Sequence, residues 1–583
     1  MLIYKRCLYI HKNLIITYPY SILKMAWNIK WQQPHKEKYG YLKNTFRVNG
    51  KMDDDYIYLG PEDTAIKILA DLALKPLIDE ESITYSGEMV LEEIADSLTF
   101  ENILVDYAGD KRASNALKNI IILMALFKAS KRKLFMKVLN KSVLKESTDL
   151  KYLEEVYGFM DLVYEHLGDI VYDMVKAAHH KYDLDLRYLI VDATRFKVYK
   201  DEETGLIKFG WSAQKRKDLP QVNLVLGVNN QQIPFFVSTH PGNTSDIEMF
   251  DSFLKTMRSK YRVLNKIPVK IIVMDQGNVN KDTIRYLRWL VRYSFHFVAM
   301  VRSGSISRFI KILNERGVRK DDLELIHTKE VSKNKETKIY GKLIEDEVYG
   351  RVSRVLVCYN PDVEKEKNKT LDGKIRTIEQ RVELLNKKGG SLDSKLADIN
   401  SLIETCNLKR AITVVKEGNK LELEIDNEDL DTRREKFGFF ALFTHHKDLT
   451  AKDIITIYKS KDLVEKGFEA LNIDFNVCPI NHSKDKRIET HIIFKICGYF
   501  FVSLLRAILK DKKIDYSFGE LLYTIKSGTA IIGYYEHEIF KNKRLYVKRP
   551  TKMSADLTRI FRLLKIKIPK YDVKREPYTY TLK

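Results

Sequence analysis

The chain has 583 residues, with 100 Lys and Arg against 79 Asp and Glu, a formal net charge of +21. Its 44% hydrophobic and 11% aromatic content excludes disorder as a class, and the length points to about three or four domains. Five cysteines (Cys7, Cys358, Cys406, Cys478 and Cys497), none in a C-x-x-C spacing, exclude a disulfide framework or a zinc ribbon and suit a reducing compartment. The excess of positive charge calls for a polyanionic partner, nucleic acid or an acidic membrane.

Residues 1–39 read as an N-terminal extension of uncertain standing. Lys5, Arg6, His11, Lys12 and Lys24 interrupt every apolar run before Trp27, and no small-residue cleavage site follows, so the stretch is not a signal peptide. Met1 and Met25 are both candidate starts. Residues 40–84 contain a hairpin, Tyr41 to Val48 and Tyr56 to Leu59 around a turn at Asn49-Gly50. Residues 85–182 read as helical: Asn115 to Phe127 is apolar nearly all round, and Ser147-Thr148-Asp149 is expected to cap a later amphipathic stretch. Between them, Lys128 to Lys145 holds seven basic residues and no acid. On a helix, Lys133, Lys137, Lys141 and Lys145 would form one stripe, a mutual repulsion that a phosphate backbone would reverse. A solvated face is the plainer reading of the same spacing.

From 183 to 304 the pattern changes. Tyr188 to Val191 is an apolar run ending in Asp192; Val222 to Val228 and Ile233 to Ser238 flank Asn229–Gln232 as a hairpin; Val269 to Met274 ends in Asp275; Phe295 to Val301 is a further strand. Helices are expected over Ser245–Met257 and Asn280–Val291. Strand, hairpin, helix, strand, helix, strand predicts an α/β domain with a mixed sheet flanked by helices. Both aspartates are expected at strand C-terminal ends, the rim where such folds carry their sites. Each alone reads as a turn residue or helix cap, but two close carboxylates require a shared proton or a cation, and hard oxygen ligands favour Mg²⁺ or Mn²⁺.

Residues 305–436 mix β-rich pieces with a charged helix over Val363–Lys388 and a second over Ser391–Thr405, a helical hairpin. Phe437 to Thr444 returns as a strand and 450–509 is helical. Its most apolar run, Ile492 to Leu509, is broken by Lys495 and Arg506, short of the roughly 20 clean residues of a membrane span. Residues 511–583 form a basic C-terminal region. Its last part, 541–583, reads as a tail with 14 basic and three acidic residues, a second candidate DNA grip beside Lys128–Lys145. The two histidine pairs, His179-His180 and His445-His446, have no third ligand at a recognised spacing and read as core or surface residues.

Tyr458, Lys461, Glu465 and Asn472 recur at spacings of three, four and seven, one face of a helix. This segment resembles the Tyr-x2-Arg-x3-Glu-x6-Lys signature of insertion-sequence transposases of the acidic-triad (DDE) type. Other pieces follow in the family's order: Lys215-Arg-Lys-Asp218 with Gln221, Gly242-Asn243 with Asp246, Asp275-Gln276-Gly277, then Pro479 and Arg487-Ile488 with His491. The hairpin turn around Asn49-Gly50-Lys51 is also similar to an N-terminal feature of the group. The resemblance spans roughly residues 40–510. It implies a ribonuclease-H-like catalytic domain at 183–304 and 437–510, interrupted by the insertion at 305–436, with residues 85–182 as a helical DNA-binding region.

By the same resemblance Asp192, Asp275 and Glu465, 83 and 190 residues apart, would hold two Mg²⁺ or Mn²⁺ ions for in-line phosphoryl displacement. Tyr458 and Lys461 would hold the terminal phosphate, with Lys133, Lys137 and Lys141 gripping DNA. Arg487 and His491 would support the site. The resemblance further implies inverted-repeat ends and target DNA as partners, a homodimer at synapsis, no membrane, and a cytoplasmic, nucleoid-associated location. Lys461 stands where the family has Arg, Asn472 where it has Lys, and Gln276 where it has Arg, while Glu469 is a rival acid one turn past Glu465. Three readings stand: an active transposase, a catalytically decayed DNA-binding protein, or a nuclease without strand transfer.

Overall fold

The computed structural model describes residues 27–33, 38–48, 51–65, 67–68, 78–198, 202–210, 220–259, 270–275, 280–290, 295–332, 335–478, 480, 482, 484–536, 544–567 and 572–575. The turn at Asn49-Gly50, the stretch Lys215 to Asp218, Gln276-Gly277, Pro479 and the first 26 residues lie outside them. The chain divides into two compact units. The first comprises Met1–Lys181, Ala470–Val477 and His482–Lys583, and the second Tyr182–Glu469 and Cys478–Asn481.

The first unit opens with a three-stranded antiparallel sheet, β1 (Trp27–Gln32), β2 (Tyr39–Val48) and β3 (Lys51–Pro61). One face is closed: a Cβ on Gly40 would stand 2.7 Å from the Ala65 methyl and 3.0 Å from the Trp31 ring, and Leu59 and Ala65 are buried. Strand β4 (Ile78–Thr84) leads into helices α1 (Ser86–Ser97), α2 (Phe100–Ala108) and α3 (Lys111–Leu126). Asp110 caps α3 by accepting from the amides of Arg112 and Ala113. From Ala113 onward α3 is buried on nearly every side, as its all-round apolar pattern requires.

The basic stretch that follows is not the continuous helix expected. Lys131–Lys133 is a single α-turn, Leu134–Val138 a π-turn, and Leu139–Lys141 and Val143–Lys145 separate 3₁₀ turns. Leu134, Leu139 and Leu144 are all buried, a spacing of five that a 3.6-residue period cannot place on one face, so the backbone widens and then breaks. At Ser142 the chain is extended; the serine hydroxyl accepts from the Leu144 amide and donates to the buried Glu88 carboxylate at 2.9 Å. The four-residue lysine stripe is therefore interrupted, although Lys133, Lys137 and Lys141 all remain exposed. Lys131 is instead buried at 4% exposure.

Helices α4 (Leu153–Leu162) and α5 (Leu167–Tyr182) complete this part. The cap of α4 is Glu155, whose carboxylate accepts from the amides of Lys151 and Tyr152. Ser147-Thr148 do not act as that cap; they receive the Asn119 side-chain amide at 3.2 and 2.8 Å.

The second unit is built on a ten-stranded mixed sheet. Its centre is β5 (Tyr188–Lys197), with β6 (Lys208–Phe209), β7 (Pro220–Val228) and β8 (Pro234–Pro241) on one side. Helix α6 (Asp246–Ser259), β9 (Lys270–Met274), α7 (Lys281–Leu290) and β10 (Phe295–Met300) follow. Strands β5, β9 and β10 are mutually parallel and β7 and β8 antiparallel. The lateral order β8-β7-β5-β9-β10 is the ribonuclease-H-like mixed α/β arrangement. Strand β5 runs five residues beyond Asp192 because β7 continues to pair with it to Lys197, so Asp192 lies within the strand rather than at its end.

After helix α8 (Ile306–Glu315), strands β11 (Glu324–Ser332), β12 (Lys335–Glu347) and β13 (Val352–Tyr359) continue the same sheet. They pair in series and join β10 through β16, giving the order β11-β12-β13-β16-β10. Part of the sequence read as an insertion is thus an extension of the catalytic sheet. What stands outside the sheet is the helical hairpin, α9 (Pro361–Lys387) and α10 (Leu392–Thr405), with β14 (Ile412–Glu417), β15 (Lys420–Ile425) and α11 (Asn427–Arg434). It has its own core of Leu371, Ile378, Val382, Ile399, Ile403 and Leu421 among others. Strand β16 (Phe439–Thr444) then returns to the sheet, and α12 (Ala451–Lys459) and α13 (Asp462–Ile473) follow.

The chain re-enters the first unit with α14 (Asp485–Asp511), α15 (Phe518–Lys526), β17 (Thr529–Glu536), β18 (Arg544–Pro550), α16 (Ala555–Leu563) and β19 (Asp572–Arg575). By compactness, residues 482–510 of the segment read with the catalytic domain group with the first unit. Helix α14 is apolar on all sides and is enclosed by α1 and α3: a Cβ on Gly498 would lie 2.8 Å from the Ala125 methyl, and Phe501 meets Phe100 edge-on at 5.1 Å. By length and composition α14 could cross a membrane, but 89% of its apolar window is buried inside the protein. Lys495 is accommodated there by donating to the Met124 carbonyl at 2.8 Å.

The C-terminal region is folded, at least from residue 544 to 567. β17 pairs with β4 and β18, and β18 with β19. Helix α16 buries Leu557, Ile560 and Phe561 and exposes Arg559 and Arg562.

Lys131, His482 and His491 form a buried basic cluster in this unit. The lysine nitrogen lies 3.0 Å from His482 Nε2 and 2.6 Å from His491 Nδ1. Burial, with Lys131 and Arg487 adding to it, pushes His482 down to about 3 from its ordinary 6.5. Burial, Lys131 and Lys495 push His491 down in the same direction. Between pH 6.5 and the folded values the unfolded chain binds more protons, so stability falls as pH falls through this window and is flat above it. The urea midpoint is expected to drop between pH 7 and pH 5, and less steeply in His491→Gln; parallel slopes would refute this account.

Candidate active site

The parallel register of β5 and β9 pairs Ile190 with Val273, which sets Asp192 on β5 opposite Asp275 immediately after β9. The register alone places the two carboxylates side by side, on adjacent strands about 4.8 Å apart. Across them lies the junction between α12 and α13. The helical segment read from sequence as continuous breaks at Ser460-Lys461, between the two helices. The break turns Tyr458, Lys461 and Glu465 toward the aspartates together.

The Lys461 ammonium sits among three carboxylates. It lies 2.8 Å from Asp275, 3.5 Å from Glu465 and 3.8 Å from Asp192. Tyr458 donates its hydroxyl to Asp275 at 3.3 Å. Burial raises the Asp192 carboxyl to about 6; Lys461 and the Ala193 amide oppose this, while Asp275 and Glu465 add to it. Burial, then Asp275, pushes the Tyr458 hydroxyl far up, so it stays a donor. Burial would lower Lys461, but Asp192, Asp275 and Glu465 outweigh it and hold the amine above its ordinary value, fully charged.

Several contacts aim α13 that no sequence spacing announces. Lys329 on β11 pairs with Asp462 at 2.8 Å, and the Gln232 side-chain amide donates to the Leu463 carbonyl at 3.2 Å. Arg195, three residues beyond Asp192 on β5, pairs with Asp246 at 2.8 Å. The Gly242-Asn243 turn is a packing device: a Cβ on Gly242 would stand 2.2 Å from the Gln221 carbonyl oxygen, and Gln221 donates to the Gly242 carbonyl at 2.7 Å. Gln221, one of the residues carrying the family resemblance, therefore packs this turn.

The remaining expected site residues lie elsewhere. Asn472 is exposed about two turns past Glu465, and Glu469 is exposed between them. Arg487 belongs to the first unit, where it pairs with Asp161 at 3.1 Å over the Tyr157 ring. His491 is half-buried beside Lys131 in that unit. Lys133, Lys137 and Lys141 are exposed there, Lys141 lying 3.4 Å from Glu81. His445 packs against Phe297 and Phe443, and His446 against His296.

Residues 184–501 match the family model described as the transposase DDE domain. The match covers more than half of the chain, and the protein belongs to that family. No protein of curated function matches it.

Among the described residues no three His, Cys, Asp or Glu side chains form a ready metal cage. At the carboxylates the reason is visible: the Lys461 nitrogen occupies the space between them. Their chemistry nevertheless fits a hard divalent cation. The donors are carboxylate oxygens, and three acids face one ammonium, a deficit of positive charge. Asp192, Asp275 and Glu465 would hold the ion.

Replacing Lys461 by Met removes the counter-charge and leaves the carboxylates opposed. Metal-free Lys461→Met is expected to lose about 2 kcal/mol of stability, and Mn²⁺ to raise its melting temperature more than that of the wild type. Equal melting temperatures without metal, with equal Mn²⁺ shifts, would dismiss Lys461 as the internal counter-ion.

Proposed function

We propose that this protein is an active DNA transposase that binds the inverted-repeat ends of an insertion sequence, cleaves a strand at each end and transfers the freed 3′-OH to target DNA. The observation that carries the reading is the convergence of Asp192, Asp275 and Glu465 on Lys461, within the region matched by the transposase DDE domain. Bound divalent ions would supply activation of the attacking oxygen and neutralisation of the leaving one.

The chain's own residues have separate tasks in this scheme. Tyr458, kept protonated, is a hydroxyl donor toward a phosphate oxygen. With a cation held by the carboxylates, Lys461 would serve as a point charge for the phosphate, without the two-pronged geometry an arginine would offer. The half-exposed Glu465, at 58% side-chain exposure, is the carboxylate with most freedom to close on the site. The exposed bases Lys133, Lys137, Lys141, Arg559 and Arg562 would carry duplex DNA, in a homodimer that holds two ends. A transposase acting on the element's DNA would work in the cytoplasm, at the nucleoid.

Supercoiled plasmid carrying the element's ends tests the reading. Mn²⁺-dependent nicking is expected from the wild type and a loss of at least about a hundredfold from Asp192→Ala and from Glu465→Gln. Binding without nicking would leave a decayed DNA-binding protein; nicking without joining of the cleaved 3′ end to a second plasmid would leave a nuclease.

The basic C-terminal region needs a different test from truncation, since removing it would strip β18 and β19 from a four-stranded sheet and Leu557, Ile560 and Phe561 from the core. The double variant Arg559→Glu/Arg562→Glu is expected to bind duplex ends at least tenfold more weakly at low salt and to show a shallower salt dependence. Unchanged affinity would remove α16 from the DNA-binding surface.

A further inference from the structure

The three-stranded sheet at the start of the chain has two unlike faces. One is closed by Leu59, Ala65 and Trp31 against Gly40. The other follows from strand alternation: Tyr39, Tyr41 and Lys43 on β2 share a face, with Lys30 paired to Tyr41 from β1, and Tyr58 and Tyr56 paired to Tyr41 and Lys43 from β3. Tyr41 lies 5.2 Å from Tyr58 and 6.5 Å from Tyr56, and Tyr39 lies 6.1 Å from Tyr58, ring centre to ring centre. The ammonium groups of Lys30 and Lys43 each stand 5.5 Å from the centre of the Tyr56 ring. Tyr56 is 39% and Tyr58 52% exposed.

We propose that this face is a stacking platform for unpaired bases of single-stranded DNA. Four aromatic rings at neighbouring positions offer π-surface to successive bases, and the two ammonium groups beside Tyr56 complement the phosphates that join them. The occupant is inferred from the rings: exposed tyrosine faces are matched by unpaired bases, whereas in a duplex the base faces are stacked on one another and only phosphates and base edges are presented. A second copy of the chain is a poor occupant, since a two-fold contact through this face would bring Lys30 and Lys43 of both copies together.

The test uses the full-length protein with EDTA present, so that cleavage plays no part; failure of the platform leaves the cleavage reading intact, and the reverse. Fluorescence anisotropy is read with a labelled oligothymidylate and with a labelled duplex of the same length. Tyr56→Ala/Tyr58→Ala is expected to weaken oligothymidylate binding about tenfold or more and duplex binding less than about twofold. Tyr56→Phe/Tyr58→Phe, which keeps the rings, is expected to stay within about twofold of the wild type on both. Tyr58→Ala alone, at a half-exposed ring, is expected to lose about threefold on the single strand and keeps the comparison independent of folding. The proposal is overturned by unchanged oligothymidylate affinity, by equal losses on single strand and duplex, or by phenylalanine variants as weak as the alanine ones. A change in sedimentation of the free protein in place of a change in DNA affinity would assign the face to self-association and overturn it as well.

Discussion

The second unit turns on a charge problem. Parallel pairing of β5 with β9 sets Asp192 beside Asp275, and α13 brings Glu465 to the same place. Three carboxylates cannot share a half-buried space without a cation, and Lys461 provides it from the break between α12 and α13. The surroundings serve that arrangement: Lys329 and Gln232 aim α13, and the packed Gly242 turn steadies the neighbouring strands. A site with an internal cation can fold and persist without metal. In the proposed scheme Asp192, Asp275 and Glu465 would hold a divalent cation, and Lys461 would then be available to a phosphate.

The first unit solves a different problem, the burial of an all-apolar helix. Helix α14 would be a liability if exposed, and α1 and α3 enclose it. Two of the buried lysines in this interior are handled locally, Lys495 by the Met124 carbonyl and Lys131 by two imidazoles. Basic residues that remain outside, on the irregular 131–145 turns and on α16, are available to a polyanion. Under the proposed function, positive charge in this unit would serve attraction of DNA, and negative charge at the carboxylates would serve binding of the cation that assists its cleavage.

Much of this was legible in the residues. The order of strands and helices from 188 to 301, the hairpin at Asn229–Gln232, the buried helix around Asn115–Phe127 and the helical hairpin of α9 and α10 all follow from periodicity and turn residues. So did the grouping of Tyr458, Lys461 and Glu465, because a spacing of three and four holds across the short break at Ser460. The lysine stripe failed because Leu134, Leu139 and Leu144 demand burial at intervals of five. The cap at Ser147–Asp149 failed because Asn119 and Leu144 claim those hydroxyls, and the β pieces within 305–436 extend the catalytic sheet because β13 pairs with β16.

The amino-acid sequence by itself determined the local elements and the residue types at the site, since helical and strand periods, caps and charge spacing act over a few residues. Only the tertiary structure decided which distant pieces meet. Register between β5 and β9 makes a pair of two aspartates 83 residues apart, and the turn at Ser460 makes Lys461 their counter-ion. The positive charge noted at the outset is likewise sorted by folding: Lys131 is drawn inside, Lys461 becomes internal to the acidic cluster, and the basic end of the chain is built into a sheet with β4. Such choices rest on burial and pairing between segments hundreds of residues apart, which no local pattern encodes.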